Sequence, residues 1–207
     1  TAITMIPRSD GRPFEREAAV NLDLCTGCGI CAGACPTSSP FRRASALVPG
    51  IDLADRPLVE LRQKIHDATA NLTGGRRVLL LGCDHGIGTG KAATDNVAAV
   101  QLPCIGALPP AFIDYVLSRN LADGIFLAGC KGGECYSRFG LRWTAQRLAG
   151  QRDPHLRARV PRERLGQLSA GARSAKQLAD AVRAFQAGLP DRPPEPESPR
   201  AREVETV

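Results

Sequence analysis

Four cysteines fall within eleven residues near the start of this chain: Cys25, Cys28, Cys31 and Cys35, with Pro36 directly after them. The spacing is C-x2-C-x2-C-x3-C-P, the run that wraps thiolates around a [4Fe–4S] cluster. Zinc sites more often use two separated cysteine pairs. Glycines at 27, 29 and 33 are expected to let backbone amides approach the cluster sulfides without a Cβ in the way. Pro36 is expected to turn the chain away from the site. Such a segment needs little core of its own, because ligation supplies most of its stability.

In two-cluster ferredoxins the fourth cysteine of such a run ligates the other cluster. Two assignments therefore stay open. All four local cysteines hold one cluster, or Cys25, Cys28 and Cys31 hold it while Cys35 reaches a neighbouring one. The apolar opening stretch, Thr1 to Ile6, is similar to the strand that follows the first motif in ferredoxins of that kind. This leads to the expectation that another such motif precedes Thr1 in the natural protein.

The chain has eight cysteines in all. An even number suits disulfides in a secreted protein, but the tight spacing of the first four and the lack of a visible signal peptide favour thiolates in a reducing cytosol. The expected location is the cytoplasm, including the cytoplasmic face of a membrane. No run of 18 apolar residues is present. The formal net charge of +6 invites a nucleic-acid reading. The arginines are scattered rather than blocked, aromatic residues make up only 4%, and stacking platforms for bases need exposed rings. Four-thiolate clusters would also lower the charge. Nucleic acid is not an expected partner.

Residues 1–45 read as a small cluster-stapled module. Residues 46–75 read as a linker and a helix, with Leu58, Leu61, Ile65, Ala68 and Leu72 recurring every three or four positions and Gly74 and Gly75 ending it. Residues 76–187 alternate in the α/β manner. Apolar runs at 77–82 (RVLLLG), 97–102 (VAAVQL) and 124–129 (GIFLAG) predict buried parallel strands, and 164–168 a weaker fourth. Helices are predicted over 109–119, 137–149 and 171–187. The expected fold class is α/β: a small parallel sheet flanked by helices, with an N-terminal ferredoxin-like module. Residues 188–207 are rich in proline and charge and read as a disordered tail.

The other cysteines are Cys83, Cys104, Cys130 and Cys135. Cys83 follows the first predicted strand, Cys104 lies two residues past the second, and Cys130 follows the third. Ligands of open parallel sheets bind beyond the carboxyl ends of strands, so these three converge on one edge. A glycine-rich turn can fold Cys135 back onto them, giving a four-thiolate site. Buried structural cysteines and zinc are the competing readings.

Residues 76–187 resemble the hydrogenase iron–sulfur subunit family, the delta subunit of methyl-viologen-reducing hydrogenase. The match is carried by LLLGCDHG, by PCIG around Cys104 and by DGIFLAGCKGGECYSRFG, with Leu168, Ser169 and Ala170 fitting before a helix. The resemblance implies a [2Fe–2S] cluster on Cys83, Cys104, Cys130 and Cys135. It also implies a redox partner: a hydrogenase, a formate dehydrogenase, a heterodisulfide-reductase-like flavoprotein or a membrane cytochrome b-type section. The chain departs from the family after its second cysteine, where Ile105 to Pro109 stand in place of a basic residue, and over 82–90, which lacks the usual aromatics.

Asp84 and His85 flank Cys83 and are candidates for tuning a cluster or coupling a proton to it. Lys131 and Glu134 are candidate docking charges. His66 and His155 read as surface residues. Gly86 to Lys91 fails both the phosphate-loop and the dinucleotide templates and reads as a flexible turn. The expected role is electron relay between clusters to a partner oxidoreductase, with no substrate of its own. A flavin- or nucleotide-using enzyme and a zinc-stabilised binding module are the rivals.

Overall fold

The computed structural model describes residues 2–9, 11, 15–41, 50–53 and 55–191. The chain opens with an antiparallel hairpin, β1 (Ile3–Pro7) and β2 (Arg16–Val20), in which Ile3 pairs with Val20. A single short helix follows, α1 (Ile30–Ala34), and then α2 (Leu58–Ala70). The Asp52 carboxylate accepts the Leu58 N–H at 2.9 Å and so satisfies one open donor at the start of α2.

The second part alternates strictly: β3 (Val78–Cys83), β4 (Val97–Leu102), α3 (Pro110–Ser118), β5 (Gly124–Gly129), α4 (Gly140–Leu148), β6 (Leu165–Ser169) and α5 (Ala175–Gly188). The four strands form one parallel sheet in the order β4-β3-β5-β6. The expected fold class is therefore the observed one. Both faces are covered, so β3 and β5 are buried along their whole length. Side chains alternate between two cores. Leu79 and Leu81 join Ile65 of α2 and Phe112 and Val116 of α3, while Val78 and Leu80 join Leu178 and Val182 of α5.

Three boundaries differ from those read off the sequence, each for a local reason. β3 runs one residue further, to Cys83, and the Asp84 N–H continues the ladder by donating to the Leu102 carbonyl at 2.8 Å. α4 begins at Gly140 rather than 137, because Arg138 takes a left-handed φ of 56° that a right-handed helix excludes. α5 begins at Ala175 after a turn in which Ser174 N–H donates to the Gly171 carbonyl. Leu189 is buried against the sheet. From 192 onward the proline-rich stretch lies outside the described residues. Among the described residues no helix is long and apolar enough to cross a membrane.

Two buried carboxylates pin the layers. Asp114 on α3 accepts a two-pronged contact from Arg159, at 2.9 and 2.7 Å, and a third from Arg157. Asp123, just before β5, accepts the Arg77 backbone N–H at 2.7 Å. His66, read as a surface residue, is half-buried and lies 2.8 Å from the Tyr115 hydroxyl on α3. His155 is exposed beside Asp153.

Candidate metal centres

The sheet order explains why the second cysteine set meets. From β3 the chain goes to β4 on one side, then crosses back to β5 on the other. The connections part between β3 and β5, which makes the crevice at their carboxyl ends the switch point where such sheets bind ligands. Cys83 is the last residue of β3 and Cys130 follows β5; their sulfurs are 3.5 Å apart. Cys104 follows β4 by two residues and couples directly to Cys83. Cys135 returns close enough to Cys104 for their charges to interact. The turn that brings it back needs Gly133, whose φ is +81°. Cys83, Cys104 and Cys130 are buried, and Cys135 is half-exposed.

Hydrogen bonds grade these thiols. The Cys83 thiol is pushed up, first by its hydrogen bond with Cys104 and then by burial, against the His85 backbone N–H. The Cys104 thiol is held down by the same bond, with further help from the Gly106 N–H at 3.4 Å and the Ser137 hydroxyl, against burial. Burial raises Cys130. Among the described residues no three His, Cys, Asp or Glu side chains gather tightly enough to hold one metal ion. The set suits a group with several metal atoms, whose ligands stand further apart, better than a single tetrahedral ion.

The first set is arranged differently. The charges of Cys25 and Cys28 bear on Cys31, whose thiol burial raises. Gly27 and Gly29 adopt φ of 65° and 70° to fold the loop between these cysteines. Cys35 sits in a nest of its own. Burial opposes its ionisation, but the Thr37 hydroxyl, 3.0 Å from the sulfur, and the backbone N–H groups of Thr37, Gly50 and Ile51 together hold the thiol below its ordinary value. Cys25, Cys28 and Cys31 thus form one trio, and Cys35 has its own cradle of donors for a thiolate.

The two sets share a seam. Helix α1, which carries Cys31, packs on the turn Ile105–Ala107 just after Cys104. A Cβ on Gly33 would lie 2.1 Å from the Gly106 carbonyl oxygen, and one on Gly29 2.7 Å from the Ala107 side chain. These glycines, expected to serve the sulfides, also allow this close docking.

At the rim of the seam a cavity of about 180 Å³ is lined by Cys28, Arg56, Asp84, His85, Pro103 and Tyr136, among others. Asp84 is paired with Arg56 at 2.6 Å. The His85 ring stacks on Tyr136 with centroids 3.7 Å apart. Lys131 and Glu134 pair with each other in solvent at 2.8 Å. The stretch from Gly86 to Lys91, read as a flexible turn, buries Ile87 and Thr89 and so fills space under the sheet.

Sequence reasoning missed Arg147. It is 1% exposed, at the end of α4, and donates to the Gly106 carbonyl at 3.0 Å and the Ile30 carbonyl at 3.5 Å. Nothing in the pattern of α4 separates it from the exposed arginines nearby.

Comparison with known families agrees with this division. Residues 76–191 match the family described as methyl-viologen-reducing hydrogenase, delta subunit. Residues 18–40 match a 4Fe-4S binding domain. No curated protein matches the chain.

Proposed function

The chain belongs to the methyl-viologen-reducing hydrogenase delta-subunit family, and on that premise we propose that it relays electrons between a [4Fe–4S] and a [2Fe–2S] site toward a hydrogenase-type partner. The 4Fe-4S binding domain supports the first cluster. The observation that carries the relay is the seam: the helix bearing Cys31 and the turn after Cys104 are in backbone-to-backbone contact. In this reading Cys25, Cys28 and Cys31 hold the first cluster, with Cys35 as its fourth ligand or as a ligand to a neighbour. Cys83, Cys104, Cys130 and Cys135 hold the second.

Such clusters supply one-electron storage with little change in shape. The residues of this chain do the rest. Buried Cys83, Cys104 and Cys130 keep water from the inner site. The Gly106 N–H, the Ser137 hydroxyl and the His85 N–H donate to its sulfurs and stabilise negative charge there. The cysteine-bearing elements are locked against each other, so the distance between sites stays fixed. Asp84 and His85 line the rim, where they can couple a proton to charge held inside. The protein works in the reducing cytoplasm in this reading, where thiolates persist. A membrane-bound cytochrome-type partner is a further candidate acceptor.

Anaerobic reconstitution with iron and sulfide tests the proposal. The full chain should take up about six irons, four and two, and give two distinct reduced EPR signals. Cys104→Ser should remove one signal and about two irons while leaving the other. A colourless protein without iron ends the proposal, and a single four-iron signal that persists in Cys104→Ser ends its second half.

A further inference from the structure

Arg147 is the largest side chain that is fully buried in the described part of the molecule. Among the described residues no carboxylate pairs with it, and its Nε is buried without a partner. Elsewhere this protein treats buried charge conventionally: Asp114 has two arginines and Asp123 has Arg77. A guanidinium keeps its charge at any accessible pH, and a buried charge needs compensation. The nearest source of negative charge is Cys104, whose attraction favours the charged guanidinium. The two carbonyls that accept from Arg147 come from opposite sides of the seam, Ile30 from α1 and Gly106 from the turn after Cys104.

We propose that Arg147 is the built-in counter-charge of the site formed by Cys83, Cys104, Cys130 and Cys135, and that it raises the reduction potential of the cluster held there. Each electron added to a four-thiolate cluster adds negative charge. A fixed positive charge in a low-dielectric seam stabilises the reduced form more than the oxidised one. The direction of electron flow across the seam then depends on this residue, which touches neither electron donor nor acceptor and is a positioning group for charge. The hydrogen bonds to Ile30 and Gly106 hold the guanidinium at that point.

The inference rests on the reading of those four cysteines as a cluster site, and the experiment separates the two. The reconstituted full-length chain and its Arg147→Gln and Arg147→Lys variants are titrated anaerobically with dithionite, and the signal lost in Cys104→Ser is followed by EPR. Glutamine keeps a donor but no charge; lysine keeps the charge on a different shape. In Arg147→Gln the potential should fall so that, at the wild-type midpoint, the reduced-to-oxidised ratio drops at least tenfold, which is 59 mV for a one-electron couple. Arg147→Lys should recover most of that shift. A loaded Arg147→Gln protein with the wild-type potential overturns the proposal. If Arg147→Gln does not fold, Arg147→Lys decides: a signal near the wild-type potential supports the counter-charge, and a signal that is lost or shifted as far as a tenfold ratio overturns it. Absence of the signal in the wild type fails the cluster reading itself.

Discussion

Cys25, Cys28, Cys31 and Cys35 lie on consecutive turns of chain and none is fully buried, whereas Cys83, Cys104 and Cys130 are buried at the ends of three strands. The first set is held by one five-residue helix and by loops. The second is held by a sheet with apolar cores on both faces. The difference separates two ways of making a metal site. In one, the ligands organise the backbone, and the fold of the segment depends on what they bind. In the other, the hydrophobic effect builds the scaffold first and the ligands arrive in position.

Iron removal should give the largest effect and the clearest test of that contrast. After chelation under reducing conditions, amides over residues 15–41 should exchange about a hundredfold faster or more, equivalent to ~3 kcal/mol of local stability. Amides of β3 and β5 should keep their protection. Hydrogen exchange read by mass spectrometry checks both regions in one sample. If the strands and the N-terminal segment lose protection together, the two sites do not differ in the way described.

The contrast also governs how much could be read before the structure was known. A four-cysteine run needs only spacing to be recognised, because its ligands are local. The strands were legible for a similar reason, since a six-residue apolar run such as VAAVQL is too short for a helix and too apolar for an exposed loop. Helix starts were less so: the left-handed turn at Arg138 carries no glycine to announce it. Long-range juxtapositions were the least legible. Nothing local says that Gly33 will meet the Gly106 carbonyl, or that Arg147, one arginine among many, will be the one drawn inside. Those facts follow from the order of strands and the docking of α1, which are properties of the whole chain.

The next effect in size concerns the seam that joins the two kinds of site. In Gly33→Ala the new methyl would meet a backbone oxygen at 2.1 Å and the Ala107 backbone at 2.9 Å, neither of which can rotate away. Relief requires α1 to move off the turn Ile105–Ala107. The expected cost is about 3 kcal/mol in chemical denaturation of the loaded protein. Electron transfer between the sites should slow as well, since their separation grows. Unchanged stability would mean that the N-terminal segment is not seated on the sheet half as described.

Gly140→Ala should produce the smallest change in stability and the most selective change at a site. Gly140 opens α4, and a Cβ there would lie 2.2 Å from the Cys104 sulfur. Alanine is the better helix residue by ~1 kcal/mol, which offsets part of the steric cost. The Cys104 side chain can also rotate, unlike the backbone that confronts Gly33. The net destabilisation should therefore stay below about 2 kcal/mol. The sulfur, however, must move, and with it the one thiol that the Gly106 N–H and Ser137 hydroxyl hold down. The visible and EPR signature of the inner site should shift while that of the N-terminal site keeps its wild-type form. A change confined to the N-terminal signature would place Cys104 in the wrong set and undo the division on which the comparison stands.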